Sequence, residues 1–444
     1  MAQTIEGFVG SSLDDAPMSP IHWRVFALIA AGYFFDVCDY VILGSLIPDM
    51  VRSGFATPAQ IATVGSATLL GLFAGTLVQG EFTDRIGRKT IYQFNLLLYG
   101  TATIAAAFSP DFIWLAALRF IAGIGLGAEQ PLCFAYAGEY APKNIRGRFI
   151  AGVQMIGGAW SWPLSTLFAL GFRNTLGWRG IWIVIGCCAL IVFLFRFSLP
   201  ESPRWLATHG QGERALDLLK RMGIAAPREE LTTDAASNTR SDPIGVIFRL
   251  YRGRVIAGMI CFIAFFGVAL GLGTWLPSMM ADRGMTITKS LTYTFGMTLA
   301  FPCASLCMMV ALDRFGRKPT SIVSFLLAGV FAVAFVNTTS DTMLLAVGFC
   351  MIFFIQLAGN SMQIFASEVF PTNARASGFG IAQGAGRLGT ALIIPAIPWI
   401  QARYGIEAVF VFIAAALVIA AFTVKLLGPE SRGVSLDVLA PPTG

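Results

Sequence analysis

Five ionisable side chains stand inside apolar runs long enough to cross a bilayer: Asp36 and Asp39, Arg119 and Glu129, and Arg387. A lone charge at mid-bilayer costs roughly 2.5–3.5 kcal/mol on insertion scales, so five isolated ones would cost on the order of 12–18 kcal/mol. They must be paired with one another or face a water-filled path. A carboxyl so placed can carry a proton, and a guanidinium can hold an anion. Asp36 and Asp39 are three residues apart, on neighbouring parts of one helix face. Both histidines, His22 and His209, lie outside the apolar cores, so a carboxyl is the expected proton carrier. Amides at Gln356, Asn360, Gln363 and Gln383 can hydrogen-bond a polar solute, and Tyr33 and Trp275 can present ring faces to it. The plainer readings are static ion pairs and ordinary helix packing.

Those residues need helices that span a membrane. Of 444 residues 56% are hydrophobic and 13% charged, where a soluble chain is about a quarter charged. Apolar runs of about 20 residues point to helices rather than barrel strands. Such runs begin near residues 24, 59, 89, 112, 148, 179, 253, 290, 319, 341, 374 and 406. The expected fold is an all-α integral membrane protein of twelve spans in two six-helix bundles, 1–198 and 253–444, with a polar linker at 199–252. With both termini cytoplasmic, the outer side holds six of the 31 Lys and Arg: Arg52, Arg173, Arg179, Arg283, Lys289 and Arg403. That bias favours termini inside. Compact loops and short tails point to a bacterial inner membrane.

The halves also repeat in sequence. Asp84-Arg-Ile-Gly-Arg-Lys89 returns as Asp313-Arg-Phe-Gly-Arg-Lys318, and Glu139-x-x-Pro-x-Asn-x-Arg146 returns from Glu368 to Arg375, both at an offset of 229 (313 − 84 and 368 − 139). Duplicated halves are how many secondary transporters are built, with the solute between them. Asp84, Arg85, Arg88, Glu139 and Arg146 in the first half, and Asp313, Arg314, Arg317, Glu368 and Arg375 in the second, put both signs of charge at inner helix ends. The positive-inside rule needs only Lys and Arg. The mixture is read as a cytoplasmic gate of breakable ion pairs. The ionisable membrane groups do not repeat: at the same offset Val268 stands for Asp39, Gly348 for Arg119 and Ala358 for Glu129.

The repeated Asp-Arg-x-Gly-Arg-Lys phrase, the six-plus-six spans and the central loop resemble the major facilitator superfamily along essentially the whole chain. Arg119-Phe-Ile-Ala-Gly-Ile-Gly-Leu-Gly127, Glu139 to Arg148 and Pro200-Glu-Ser-Pro-Arg-Trp-Leu206 resemble its sugar-porter-related branch. Asp36-Val-Cys-Asp39 is similar to the Asp-Gly-Phe/Tyr-Asp phrase of aromatic-acid/proton symporters and bacterial nicotinate transporters, with Val37 and Cys38 replacing Gly and the aromatic residue. The resemblance implies alternating access. It makes Asp39 the counterpart of the span 1 proton site of proton-coupled sugar porters, and Arg119 the counterpart of its span 4 partner. Protonation of Asp39 would release Arg119 to attract an anion. Asp36 is the other candidate proton site, Glu129 a second relay or a packing residue, and Arg387 a carboxylate holder or a helix-end cap. The expected function is proton-coupled symport of a small organic acid, aromatic or nicotinate-like. The alternatives are a proton-coupled sugar or polyol symporter and a proton antiport exporter.

Other classes lack their residues. Gly87-Arg-Lys-Thr90 lacks the glycine-rich lead of a nucleotide loop. Gly123-x-Gly-x-Gly127 lies inside an apolar span and reads as close helix packing, as do Gly71-x-x-x-Gly75 and Gly267-x-x-x-Gly271. Eight cysteines in spans without accompanying histidines suggest neither a disulfide framework nor a metal. No enzyme constellation is evident. A monomer is expected, with a small solute, the proton as coupling ion and membrane lipid as its partners, no cofactor, no metal and no nucleic acid.

Overall fold

The structure, a computed structural model, describes residues 4–127, 129–224, 244–369 and 372–427; within these the side chains of 78–85, 244–248, 309–310, 312–313, 364–369 and 372–377 lie outside the description. The chain order is α1 (Ile5–Asp14), α2 (Pro20–Arg52), α3 (Pro58–Ile86), α4 (Arg88–Ala107), α5 (Phe112–Gly127), α6 (Glu129–Tyr140), α7 (Arg146–Val153), a wide π-helical turn (Gln154–Ala159) and α8 (Ser161–Arg196). Then come α9 (Pro203–Thr208), α10 (Gly212–Arg221), α11 (Ile244–Asp282), α12 (Ile287–Thr298), α13 (Ala300–Phe315), α14 (Arg317–Val336), α15 (Asp341–Val369) and α16 (Thr372–Leu427).

Among the described residues, nine stretches are long and apolar enough to cross a bilayer. Two of them, Arg146–Arg196 and Gly378–Leu427, bend at Gly177 (φ 62°) and Gly405 (φ 84°) and hold two crossings each. With α4, a 20-residue helix outside those nine, this gives the twelve crossings of a major facilitator fold. The repeat is visible in the backbone. Gly87 (φ 104°) and Gly316 (φ 82°), 229 residues apart, each turn the chain at the start of a helix, α4 and α14. Only glycine adopts that conformation without strain, which explains the fixed Gly in both repeated phrases.

Lipid offers helices no hydrophobic drive to associate, so close packing must supply it. Spans 2 and 4 meet through four glycines. A Cβ on Gly71 or Gly75 would strike the carbonyls of Phe120 or Ile124, and one on Gly123 or Gly127 those of Thr68 or Leu72. The halves meet in the same way at Gly44, whose missing Cβ leaves room for the backbone of Gly273 and Thr274. Nearby, Trp162 stacks on Phe301 at 4.3 Å between centroids, and Ser66 donates to the Ala391 carbonyl at 2.7 Å.

On the side of the termini, the linker helices brace the first half. Glu201 accepts from the Lys89 backbone N–H at 3.1 Å, where a carboxylate suits the positive end of α4. Ser202 caps α9, and Pro203 occupies its first turn. Helix α1 docks beneath them, burying Val9 and Leu13, and its last residue, Asp14, receives Arg146 and Arg204, each at 2.5 Å. Burial alone would push the Asp14 carboxyl up, but the Arg146 hydrogen bond and the charges of Arg204 and Arg146 outweigh it and hold it below the usual 3.8.

Two outcomes follow from this packing. Gly123→Ala should destabilise the protein by about 1–3 kcal/mol, because backbone faces the new methyl; an unchanged unfolding midpoint in detergent would contradict the span 2–span 4 contact. A depressed carboxyl stabilises the fold above its unfolded value and ceases to do so as pH falls through the folded one. Docking of α1, read by hydrogen exchange, should therefore be flat from pH 7 to about 5 and weaken only below 3.8. Asp14→Asn should loosen it at neutral pH.

Candidate functional site

The charges inside the first half sort into pairs. Asp39 and Arg119, both fully buried, meet at 2.7 Å. Thr103 donates to Asp39 Oδ1 at 2.7 Å, Arg119 Nη2 donates to the Asp39 carbonyl at 3.4 Å, and the guanidinium lies 5.6 Å from the Trp182 ring centroid. Glu129 and Arg196, also fully buried, meet at 2.6 Å. Arg196 donates to the carbonyls of Leu28 and Tyr92 at 3.4 and 3.2 Å and stacks 3.6 Å over the Tyr92 ring. A Cβ on Gly32 would overlap its guanidinium, so span 1 carries glycine where this arginine enters. Each pair is neutral, and each member keeps the other from being a lone buried charge.

One acid and one base remain. Asp36 is buried, and its Oδ1 has no hydrogen-bond partner among the described residues. Arg387 is buried on span 11, with no carboxylate partner among them. Both line one cavity of about 60 Å³ between the halves, with Tyr33, Tyr40, Gln130 and Phe266. Span 1 supplies Tyr33, Asp36 and Tyr40, spaced three and four apart so that they share a face. Arg387 reaches across to span 4 and donates to the Gly127 carbonyl at 2.8 Å and to Gln130 at 3.3 Å. Gln130 donates to the Tyr33 hydroxyl at 2.9 Å, and that hydroxyl donates to Gln154 at 3.3 Å, at the start of the π-helical turn. Such wide turns recur at functional sites.

The structure brings together some of the residues singled out in the sequence and separates others. Tyr33, Asp36 and Arg387 share the cavity, whereas Asp39, Arg119 and Glu129 lie off its wall inside the first half. The C-half amides also lie off it: Gln356 donates to Asn360 at 3.0 Å and Asn360 to Ser305 at 3.2 Å, Gln363 is half-buried and Gln383 is buried. Trp275 donates to the Ile394 carbonyl at 3.0 Å and lines a separate cavity of about 460 Å³ at the end remote from the termini, near Arg52 and Gln401. Sequence reading passed over Tyr40, Gln130 and Arg196. The i, i+4 spacing from Asp36 marks Tyr40. The requirement for a cation beside Glu129 marks Arg196, which sits at a helix end and reads there as an inner-loop charge.

Of the gate residues, Arg88 pairs with Glu139, and Arg146 pairs with Asp14, both within the first half. Arg314 is exposed, and Arg317 accepts at its carbonyl from Ser321 and Ser361 at 2.9 and 3.0 Å. Asp84, Arg85, Asp313, Glu368 and Arg375 lie outside the described side chains.

The family described as "Sugar (and other) transporter" matches residues 44–441. A niacin transporter, NiaP, of Acinetobacter baylyi is 28% identical over 433 residues, covering 96% of this chain and 98% of that one. A 4-hydroxybenzoate transporter, PcaK, of the same organism is 28% identical over 395 residues, covering 85% and 84%. Among solved structures, a partially occluded inward-open form of the xylose transporter XylE from E. coli superposes with a TM-score of 0.77 at 19% identity, covering 94% of this chain and all of that one. That likeness speaks for the fold.

The paired charges make a direct test possible. Arg196→Leu strands Glu129 in the bilayer core and should cost about 3–5 kcal/mol, while Arg196→Leu with Glu129→Leu should recover most of that loss. Equal losses in the single and double variants, measured as unfolding free energy in detergent, would show that the two residues do not act as a pair.

Proposed function

The chain belongs to the family of sugar (and other) transporters, and on that premise we propose that it is a proton-coupled symporter of a small aromatic or nicotinate-like monocarboxylate. One observation carries the reading: Asp36 and Arg387, neither of them in an ion pair among the described residues, line the same cavity between the halves. Ionised, the two balance. A carboxylate entering beside Arg387 adds one negative charge to a site that excludes bulk water. A lone buried charge there costs several kcal/mol, so the anion needs a cation with it. A proton on Asp36 restores neutrality and removes its repulsion of the substrate.

Charge balance therefore ties one proton to one monocarboxylate. Arg387 suits a carboxylate because its planar fork can donate two parallel hydrogen bonds. Tyr33, Tyr40 and Phe266 offer ring faces to an aromatic solute. The solutes for which the two bacterial relatives are named, niacin and 4-hydroxybenzoate, fit that chemistry. Asp39, with Arg119 and Thr103 already on it, holds span 1 to spans 3 and 4 and sets the register of Asp36. The neutral Glu129–Arg196 pair ties span 4 to the end of span 6. Alternating access then consists of the two halves rocking about the cavity, with both termini cytoplasmic in a bacterial inner membrane.

Uptake into proteoliposomes under an inward proton gradient tests this. Benzoate-type acids or nicotinate should accumulate, and a proton ionophore should abolish the accumulation. Asp36→Asn should lose uphill accumulation but keep exchange of labelled for unlabelled acid. Accumulation retained in Asp36→Asn and lost only in Asp39→Asn would move the proton to Asp39. Accumulation of a hexose alone would replace the acid reading with the sugar one, and expulsion of preloaded acid under the same gradient would point to antiport.

A further inference from the structure

The central cavity is far smaller than its proposed task requires. Sites for small molecules run to roughly 300–1,000 Å³, against about 60 Å³ here. An aromatic acid enters only if the walls part. Arg387 stands on a C-half helix, yet its described hydrogen bonds all run to the N-half. Nη1 donates to the Gly127 carbonyl at 2.8 Å, to the Leu72 carbonyl at 3.5 Å and to the Thr76 hydroxyl, and Nη2 donates to Gln130 at 3.3 Å. Thr76 in turn lies 2.7 Å from the Gly127 carbonyl and 2.8 Å from that of Leu72. The glycine contacts of spans 2 and 4 bring these acceptors together, since a side chain on Gly127 would fill the space.

We propose that Thr76, the Gly127 carbonyl and Gln130 form a resting site that holds the Arg387 guanidinium in the empty carrier and locks the two halves together, and that a substrate carboxylate opens the lock by drawing the guanidinium away. The inference rests on the transport reading above. All the acceptors of the resting site are neutral. The resting site offers only dipoles to the guanidinium, whereas a carboxylate accepts the same hydrogen bonds and adds a full opposite charge in a water-poor site, so the exchange runs towards the substrate. Protonation of Asp36 leaves Arg387 free of a competing carboxylate at that moment. Gln130, which also holds Tyr33, is the positioning residue through which release of Arg387 reaches span 1.

A lock of this kind lowers apparent affinity, because part of the binding free energy goes into opening it. Weakening it should therefore improve binding. Thr76→Val keeps the shape and removes one acceptor; Gln130→Leu removes another. Each should lower the half-saturating acid concentration by roughly tenfold, the worth of one hydrogen bond to a charged group. Each should also bring net efflux from loaded vesicles closer to the exchange rate, since the empty carrier returns faster. A residue that merely supports the fold would lower melting temperature and transport together and leave the half-saturating concentration unchanged, and that result in both variants overturns the proposal.

A second measurement needs no substrate. Spin labels at Arg52→Cys and Gln401→Cys, on either side of the larger cavity in a background without the native cysteines, report the separation of the halves. In the empty protein, Thr76→Val should add a longer-distance population. Superimposable distributions in the parent and in Thr76→Val overturn the lock whatever the protein transports. A shifted distribution with no accumulation of any acid keeps the lock and rejects the acid reading.

Discussion

Everything in the centre of this protein follows from the cost of a charge in hydrocarbon. Six carboxylate and guanidinium groups are buried in the described spans: Asp36, Asp39, Glu129, Arg119, Arg196 and Arg387. Three are acids and three are bases, so the core is neutral as a whole. Four are joined as two pairs within the first half, and the remaining two face each other's side of a cavity. Neutrality reached through tight pairs is static, because breaking either leaves a buried ion. Neutrality reached across a cavity is exchangeable, because a proton and an anion can enter together and preserve it.

The packing that holds these groups is set by what is absent. Spans 2 and 4 approach until glycine meets backbone, and the halves do so at Gly44 and Gly273. Close approach compensates for the lack of a hydrophobic drive in lipid, and it also presents backbone carbonyls that an ordinary side chain would cover. The Gly127 carbonyl accepts from Arg387 for that reason. The wide turn at Gln154–Ala159 has a similar origin: Gly157 leaves space for the Tyr33 ring, and Gln154 receives its hydroxyl. Local choices that weaken a helix in water supply the polar contacts here.

Much of this was legible in the sequence, for physical reasons. Long apolar runs, a 229-residue offset and lysine and arginine bias are properties of the chain itself, and twelve crossings with repeated glycine turns follow from them. Contact between Asp39 and Arg119 was legible through the family resemblance, which makes them partners; the cost of buried charge alone required partners without naming them. What escaped was three-dimensional. Arg196 closes a helix and so reads as a loop charge, although it folds back against Glu129. On span 10, Gln356 and Asn360 bond each other and Ser305 instead of facing the central cavity. Pro200-Glu-Ser-Pro-Arg204 suggests a sugar-handling phrase, but its residues cap α4, start α9 and hold α1. A phrase that serves the brace beneath the bundle says nothing of the solute above it.

The asymmetry of the halves now has a physical sense. The first half carries three acids and two bases in its membrane core, one negative charge in excess, and the second half contributes Arg387 to the shared cavity. Divided in that way, the charges draw the halves together when the site is empty, at the depth where solute must bind. A symmetric distribution, with each half neutral in itself, would leave the halves without that attraction and the cavity without a place for a proton and an anion to enter as a neutral couple. Duplication supplies two bundles able to rock, and the loss of symmetry in their buried charge makes the rocking responsive to what lies between them.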